Sequence, residues 1–124
     1  MGVRKTVPAP LPQVWDFLIG EGLPLWLGKT ELGTRRGEEY ETEDGTRGEI
    51  RSIHPHERIR LTWEPQDWDH HSILQITLMK AQTGTTIAFH QEQLASAAER
   101  EEMLDHWHDV ADRIAAALAK RTKV

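Results

Sequence analysis

The chain has 124 residues, of which 20 are acidic and 15 basic, for a net charge of -5; 38% are hydrophobic and 28% charged. That length and composition suit one folded domain, expected over 1–124, with a single sizeable core rather than a disordered chain. The acidic balance argues against nucleic-acid binding, the absence of cysteine removes disulfides, thiolate catalysis and sulfur-bound metals, and no apolar run approaches the ~20 residues of a membrane span.

Along the chain, Val3 to Val7 is a short β-prone run that stops at Pro8. Leu11 to Ile19 carries Val14, Trp15, Phe17 and Leu18 at helix-compatible spacing and ends at Gly20 and Gly22. Pro24 opens a second short helical turn that groups Leu23, Trp26 and Leu27. The period then changes. Residues 38 to 43 form a glutamate-rich strand that reaches Asp44-Gly45, a hairpin signal because glycine accepts positive φ. Gly48 to His54 is the next strand, broken by Pro55. Arg58 to Trp63 alternates, with Ile59, Leu61 and Trp63 on one face; Ser72 to Lys80 does the same with Leu74, Ile76 and Leu78. After a turn at Gly84, the last strand groups Thr85, Ile87, Phe89 and Gln91. These strands predict an antiparallel sheet with one dry face.

Ser96-Ala97-Ala98-Glu99 fits a capping box, and Leu104, Trp107, Ala111, Ile114 and Leu118 then recur at helical spacing, with Met103 and Val110 widening the stripe. A helix from Ala97 to about Lys120 would be roughly 35 Å long, enough to cross a whole sheet. The expected architecture is α+β: a curved antiparallel sheet wrapped on a long C-terminal helix, with two short helices after the first strand.

Several local motifs in this order resemble the START-like (birch-pollen-allergen-like, SRPBCC) superfamily, and within it the AHSA-type branch, named for activators of a heat-shock chaperone's ATPase. The similar stretches are Val7-Pro8-Ala9-Pro10 before Val14-Trp15, Leu25-Trp26-Leu27-Gly28, Gly48-Glu49-Ile50, Glu57-Arg58-Ile59, Leu61-Thr62-Trp63, Gly84-Thr85-Thr86, His90-Gln91-Glu92 and His106-Trp107. The resemblance implies a helix-grip fold whose cavity, between sheet and long helix, takes lipids, polyketides or other apolar molecules. The chain is short between Gly28 and Tyr40 against that pattern. This departure implies a smaller cavity or a more open mouth.

Trp26, Tyr40, Trp63, Phe89, Gln91, Met103 and Trp107 are the residues expected to line the cavity, while Trp15 reads as core and Trp68, between Asp67 and Asp69, as rim. Gln91, with Thr85 on the same face, needs a partner in a dry setting and reads more readily as structural than as catalytic. The seven histidines read as surface residues. Pro55 separates His54 from His56, His70 and His71 point opposite ways if extended, and His106 and His108 lie about 200° apart on a helix. No metal and no cofactor is therefore expected. None of Ser52, Ser72 and Ser96 sits in a nucleophile motif, and Gly20-Glu21-Gly22 follows a helix, where it acts as a stop rather than a phosphate loop. The Glu38 to Asp44 run reads as a solvated, edge-protecting face.

The expected function is binding of a hydrophobic or aromatic small molecule by a non-enzymatic domain. The alternatives are a chaperone-associated module that binds another protein through its surface, and a cyclase- or hydrolase-like enzyme. The segment Met1 to Lys5 lacks the apolar region of a signal peptide, so the cytoplasm is the expected compartment.

Overall fold

A computed structural model describes residues 1–122; the last two positions of the expected domain lie outside the described residues. The chain runs β1 (Gly2–Val7), α1 (Leu11–Ile19), α2 (Leu23–Trp26), β2 (Glu39–Glu41), β3 (Arg47–His54), β4 (Arg58–Trp63), β5 (Ser72–Ala81), β6 (Gly84–Glu92) and α3 (Ala97–Thr122). The six strands form one sheet in the order β1-β6-β5-β4-β3-β2, every neighbouring pair antiparallel. Only the β1–β6 pairing joins strands distant in sequence; the rest is a meander of hairpins. This is the helix-grip arrangement that the resemblance implies.

The alternation expected along β4, β5 and β6 sets which face is dry. Ile59, Leu61 and Trp63 are buried, as are Leu74, Ile76 and Leu78, and Ile87, Phe89 and Gln91. Register stacks them, with Leu61 opposite Leu74 and Leu74 opposite Gln91, while Ile59 meets Ile76 and Ile76 meets Phe89. Each stack continues the dry face across three strands. Helix α3 has 26 residues and spans about 39 Å. It packs along β1 and touches α2. Its buried stripe is Met103, Trp107, Val110, Ala111, Ile114 and Leu118. Leu104, expected in that stripe, is instead 37% exposed. One residue is about 100° around a helix, so once Met103 faces the sheet its neighbour must turn away.

Two local devices fix the ends of this frame. At the start of α3, Glu99 N–H donates to Ser96 Oγ at 3.1 Å, while Glu99 Oε1 accepts the backbone N–H of Ala95 at 2.9 Å. The expected capping box forms, with its return bond one residue earlier than the usual pattern. At the other end of the sheet β2 is shorter than the expected 38-to-43 run, and its Tyr40 lies opposite Gly48. A Cβ on Gly48 would come within 1.9 Å of the Thr62 carbonyl oxygen and 2.7 Å of the Tyr40 hydroxyl. The missing side chain is what lets the phenol cross β3 and donate to the Thr62 carbonyl at 2.6 Å. Burial pushes the Tyr40 hydroxyl pKa well above its ordinary value.

Candidate functional site

The inward ends of β4, β5 and β6 meet the first half of α3 in a cluster of rings. Phe89 and Trp107 stack, with centroids 5.3 Å apart and planes 18° from parallel. Trp63 lies 5.7 Å from Trp107 at 56°, and Trp68 stands edge-on to Trp63 at 5.3 Å. His70 stacks on Trp68 at 4.7 Å. An unbroken series of ring contacts therefore runs from fully buried Phe89 to half-buried Trp68 and His70. His106 completes the wall, 6.0 Å from Trp63 and 4.7 Å from Trp107. Such tilted and edge-on pairs are favourable geometries for aromatic rings beyond the area they bury.

A chain of buried hydrogen bonds crosses the same region. Trp107 Nε1–H donates to Gln91 Oε1 at 2.7 Å, Gln91 Nε2 donates to Ser72 Oγ at 2.9 Å, and Ser72 Oγ donates to the Trp63 carbonyl at 2.8 Å. It links α3, β6, β5 and β4 through side chains that are 0–1% exposed. Gln91 is thus satisfied by protein, as is Thr85, whose hydroxyl donates to the Ala9 carbonyl at 2.8 Å near the opposite end of β6. The two do not form one polar pair. Among the described residues a single buried side-chain polar atom has no partner: Trp63 Nε1.

The segment between β4 and β5 covers this cluster. At its start Arg47 Nη2 reaches Glu64 Oε2 at 2.8 Å, and at its end His70 Nε2 lies 3.0 Å from Glu99 Oε1. His70 Nδ1 lies 3.2 Å from the His71 carbonyl oxygen, so the ring, once doubly protonated, donates at both nitrogens. The Glu99 hydrogen bond, helped by the His71 carbonyl, raises the His70 pKa. His106 moves the other way, because desolvation between the indoles lowers its pKa against a smaller pull from Asp109. His106 is exposed, as expected, yet lies against two indoles, whereas His70 is half-buried and clasped to Glu99. Among the described residues no three His, Asp or Glu side chains converge on a metal-sized site.

Of the seven expected residues, direct contacts bring together Trp63, Phe89, Gln91 and Trp107, and Met103 lies one helical turn before Trp107 on the buried stripe. Trp26 donates its indole N–H to the Leu18 carbonyl at 2.8 Å and ties α2 to α1. Tyr40, on the edge strand, borders an outer groove of about 640 Å³ lined by Glu39, Glu41, Arg47, Glu49, Arg51 and Glu64 among others. That groove is charged, and the glutamate-rich face expected to be solvated forms part of it. A second groove of about 390 Å³ lies between Met1 and Gly2 and the start of α3, at Ala97, Arg100, Glu101 and Leu104. Neither is lined by a ring of the aromatic cluster.

Sequence reasoning did not single out Ser72, His70, Glu99 or His106 as members of this region. Parity along β5 carries a signal for Ser72, which shares the inward face with Leu74. Nothing local pairs His70 with Glu99, which lie 29 residues apart and meet only in the fold.

No curated protein matches this chain in sequence. Solved structures do match it in fold. MLL2253 from Mesorhizobium loti is 20% identical with a TM-score of 0.81, and the match covers 100% of this chain and 98% of that one. CV1439 from Chromobacterium violaceum is 24% identical with a TM-score of 0.80, over 94% of both chains. DynU16, a protein in the dynemicin biosynthetic locus, is 20% identical with a TM-score of 0.84; the match covers 96% of this chain but 46% of DynU16, so this chain spans less than half of that protein. Among the described residues no helix is long and apolar enough to cross a membrane. The sequence model for "Activator of Hsp90 ATPase homolog 1-like protein" matches residues 8–119, nearly the whole chain, and on that match the chain belongs to this family.

Proposed function

We propose that this domain, acting as one unit over 1–124 in the cytoplasm, binds a small apolar or aromatic molecule between its sheet and α3 without transforming it. The observation that carries this reading is the series of ring contacts from Phe89 through Trp107 and Trp63 to Trp68 and His70. Buried aromatic walls with a few oriented polar groups are what small-molecule sites are made of. Trp63, Phe89, Gln91, Met103 and Trp107 form the inner lining, and Trp26 and Tyr40 support it from α2 and the sheet edge. The occurrence of DynU16 in a biosynthetic locus supports a small-molecule role in proteins of this shape.

The family description also supports a chaperone-associated reading, but that reading needs a broad exposed apolar patch. Leu104 is the one large hydrophobic residue that stands out as exposed among those described, which favours the interior site. An enzymatic reading has less support still, because Ser72, Thr85 and Gln91 already spend their hydrogen bonds on protein partners. Titration of the protein with lipids, aromatic polyketides and related metabolites, followed by indole ¹⁵N–¹H spectra, is the test. Saturable shifts at Trp63 and Trp107 are expected. Shifts confined to surface residues for every compound would overturn the reading.

A further inference from the structure

Trp63 is 6% exposed, and its Nε1–H is buried without a hydrogen-bond partner among the described residues. Orphaned buried donors are rare in folded proteins, and each calls for an explanation. The contrast with nearby indoles is specific: Trp107 donates to Gln91 and Trp26 donates to the Leu18 carbonyl. Resting on the small-molecule reading above, we propose that Trp63 Nε1–H is the polar anchor of the site, and that its ligand is a planar, uncharged molecule with one acceptor oxygen, such as an aryl ketone, which takes the place of the Trp68 ring.

Three features define that ligand. An indole nitrogen donates and does not accept, so the ligand must supply the lone pair. The rings in contact with Trp63 are those of Trp68, Trp107 and His106, and desolvation lowers the pKa of His106, so the one titratable ring among them is a poor counter-charge for a buried anion. A carbonyl therefore suits the site better than a carboxylate. Trp107 is fully buried and already bonded, whereas Trp68 is half-buried in a segment between strands. That segment is tied down by Glu64 to Arg47 and by His70 to Glu99. Of the two indoles in contact with Trp63, Trp68 is thus the one whose ring can be displaced without breaking a buried side-chain hydrogen bond.

The test compares 1-tetralone with tetralin, two fused-ring probes of nearly equal shape that differ by a carbonyl. Wild-type protein is expected to bind 1-tetralone about tenfold tighter, the worth of one buried hydrogen bond, and to move the Trp63 indole proton resonance downfield. Trp63→Phe, which keeps a ring and loses the donor, should remove that preference. Trp68→Ala, a second variant at a half-buried position, should bind 1-tetralone at least as tightly as wild type and keep the preference. Equal binding of both probes by wild type, or a preference that persists in Trp63→Phe, overturns the anchor and leaves the small-molecule reading standing. Loss of 1-tetralone binding in Trp68→Ala overturns the displacement of that ring. Binding of neither probe by wild type overturns the anchor together with the reading on which it rests.

Discussion

Trp107 and Trp63 lie 5.7 Å apart, centroid to centroid, yet the regions around their indole nitrogens are built differently. On the Trp107 side every polar atom in the chain Trp107, Gln91, Ser72 has a protein partner, and the ring stacks on Phe89. On the Trp63 side the residue is 6% exposed against 0% for Trp107, and its N–H is left over. The first region closes α3 onto the sheet. The second keeps an unspent donor next to a segment that crosses the cluster from β4 to β5. On the proposed reading, packing and binding are divided between these two adjacent side chains.

Breaking the closed side should have the largest effect. Gln91→Leu keeps a similar volume but leaves the Trp107 donor buried and unpaired, a loss of about 2 kcal/mol in urea unfolding. Ser72 still donates to the Trp63 carbonyl in that variant, so the damage centres on Trp107. Adding Trp107→Phe to Gln91→Leu should then cost less than Trp107→Phe alone, because both members of the pair have gone. Additive losses in the double variant would show that the Gln91 bond contributes nothing beyond packing.

The comparison sharpens when the two tryptophans are changed alike. Trp107→Phe and Trp63→Phe each delete part of a buried indole and carry similar cavity costs. Only the first strands an acceptor, Gln91 Oε1, whereas the second removes a donor that had no partner. Trp107→Phe is therefore expected to be the more destabilising by about 1 kcal/mol. Equal losses by chemical denaturation would mean that the Trp63 donor is satisfied in solution.

The outline of this fold was legible because it rests on local signals. Period-two alternation fixed the inward faces of β4, β5 and β6, and Ser96 with Glu99 marked the start of α3. Leu104 escaped because two adjacent apolar residues, Met103 and Leu104, satisfy the same helical spacing, and only packing against the sheet chooses between them. The candidate site was legible to the extent that it uses those same faces, which is how Trp63, Phe89, Gln91 and Trp107 come together. Tyr40 was expected in the cavity lining. Its hydrogen-bond partner, the Thr62 carbonyl, is reached only through the gap at Gly48. The partners of Gln91 and the His70–Glu99 contact depend on strand register and on the path of the β4–β5 segment. No periodicity encodes either.

The smallest expected effect is a pH dependence that separates the two histidines flanking the aromatic cluster. For His70 the folded pKa is raised, first by the Glu99 hydrogen bond, so its contribution is complete below the unfolded value of about 6.5 and fades as pH rises through the folded value. For His106 the folded pKa is lowered by desolvation, so it costs nothing well above about 6.5 and becomes a penalty as pH falls towards the folded value. Acidification thus strengthens the clasp on the covering segment while straining the ring that lies against Trp63. Urea midpoints at about pH 5.5 and about pH 8 should show the advantage of wild type over His70→Gln growing on acidification. The difference between wild type and His106→Gln should move the other way, to the detriment of wild type. Parallel profiles for all three proteins would mean that neither histidine changes its protonation equilibrium on folding, and that the segment over Trp63 is held by Trp68 packing and the Glu64 pair instead.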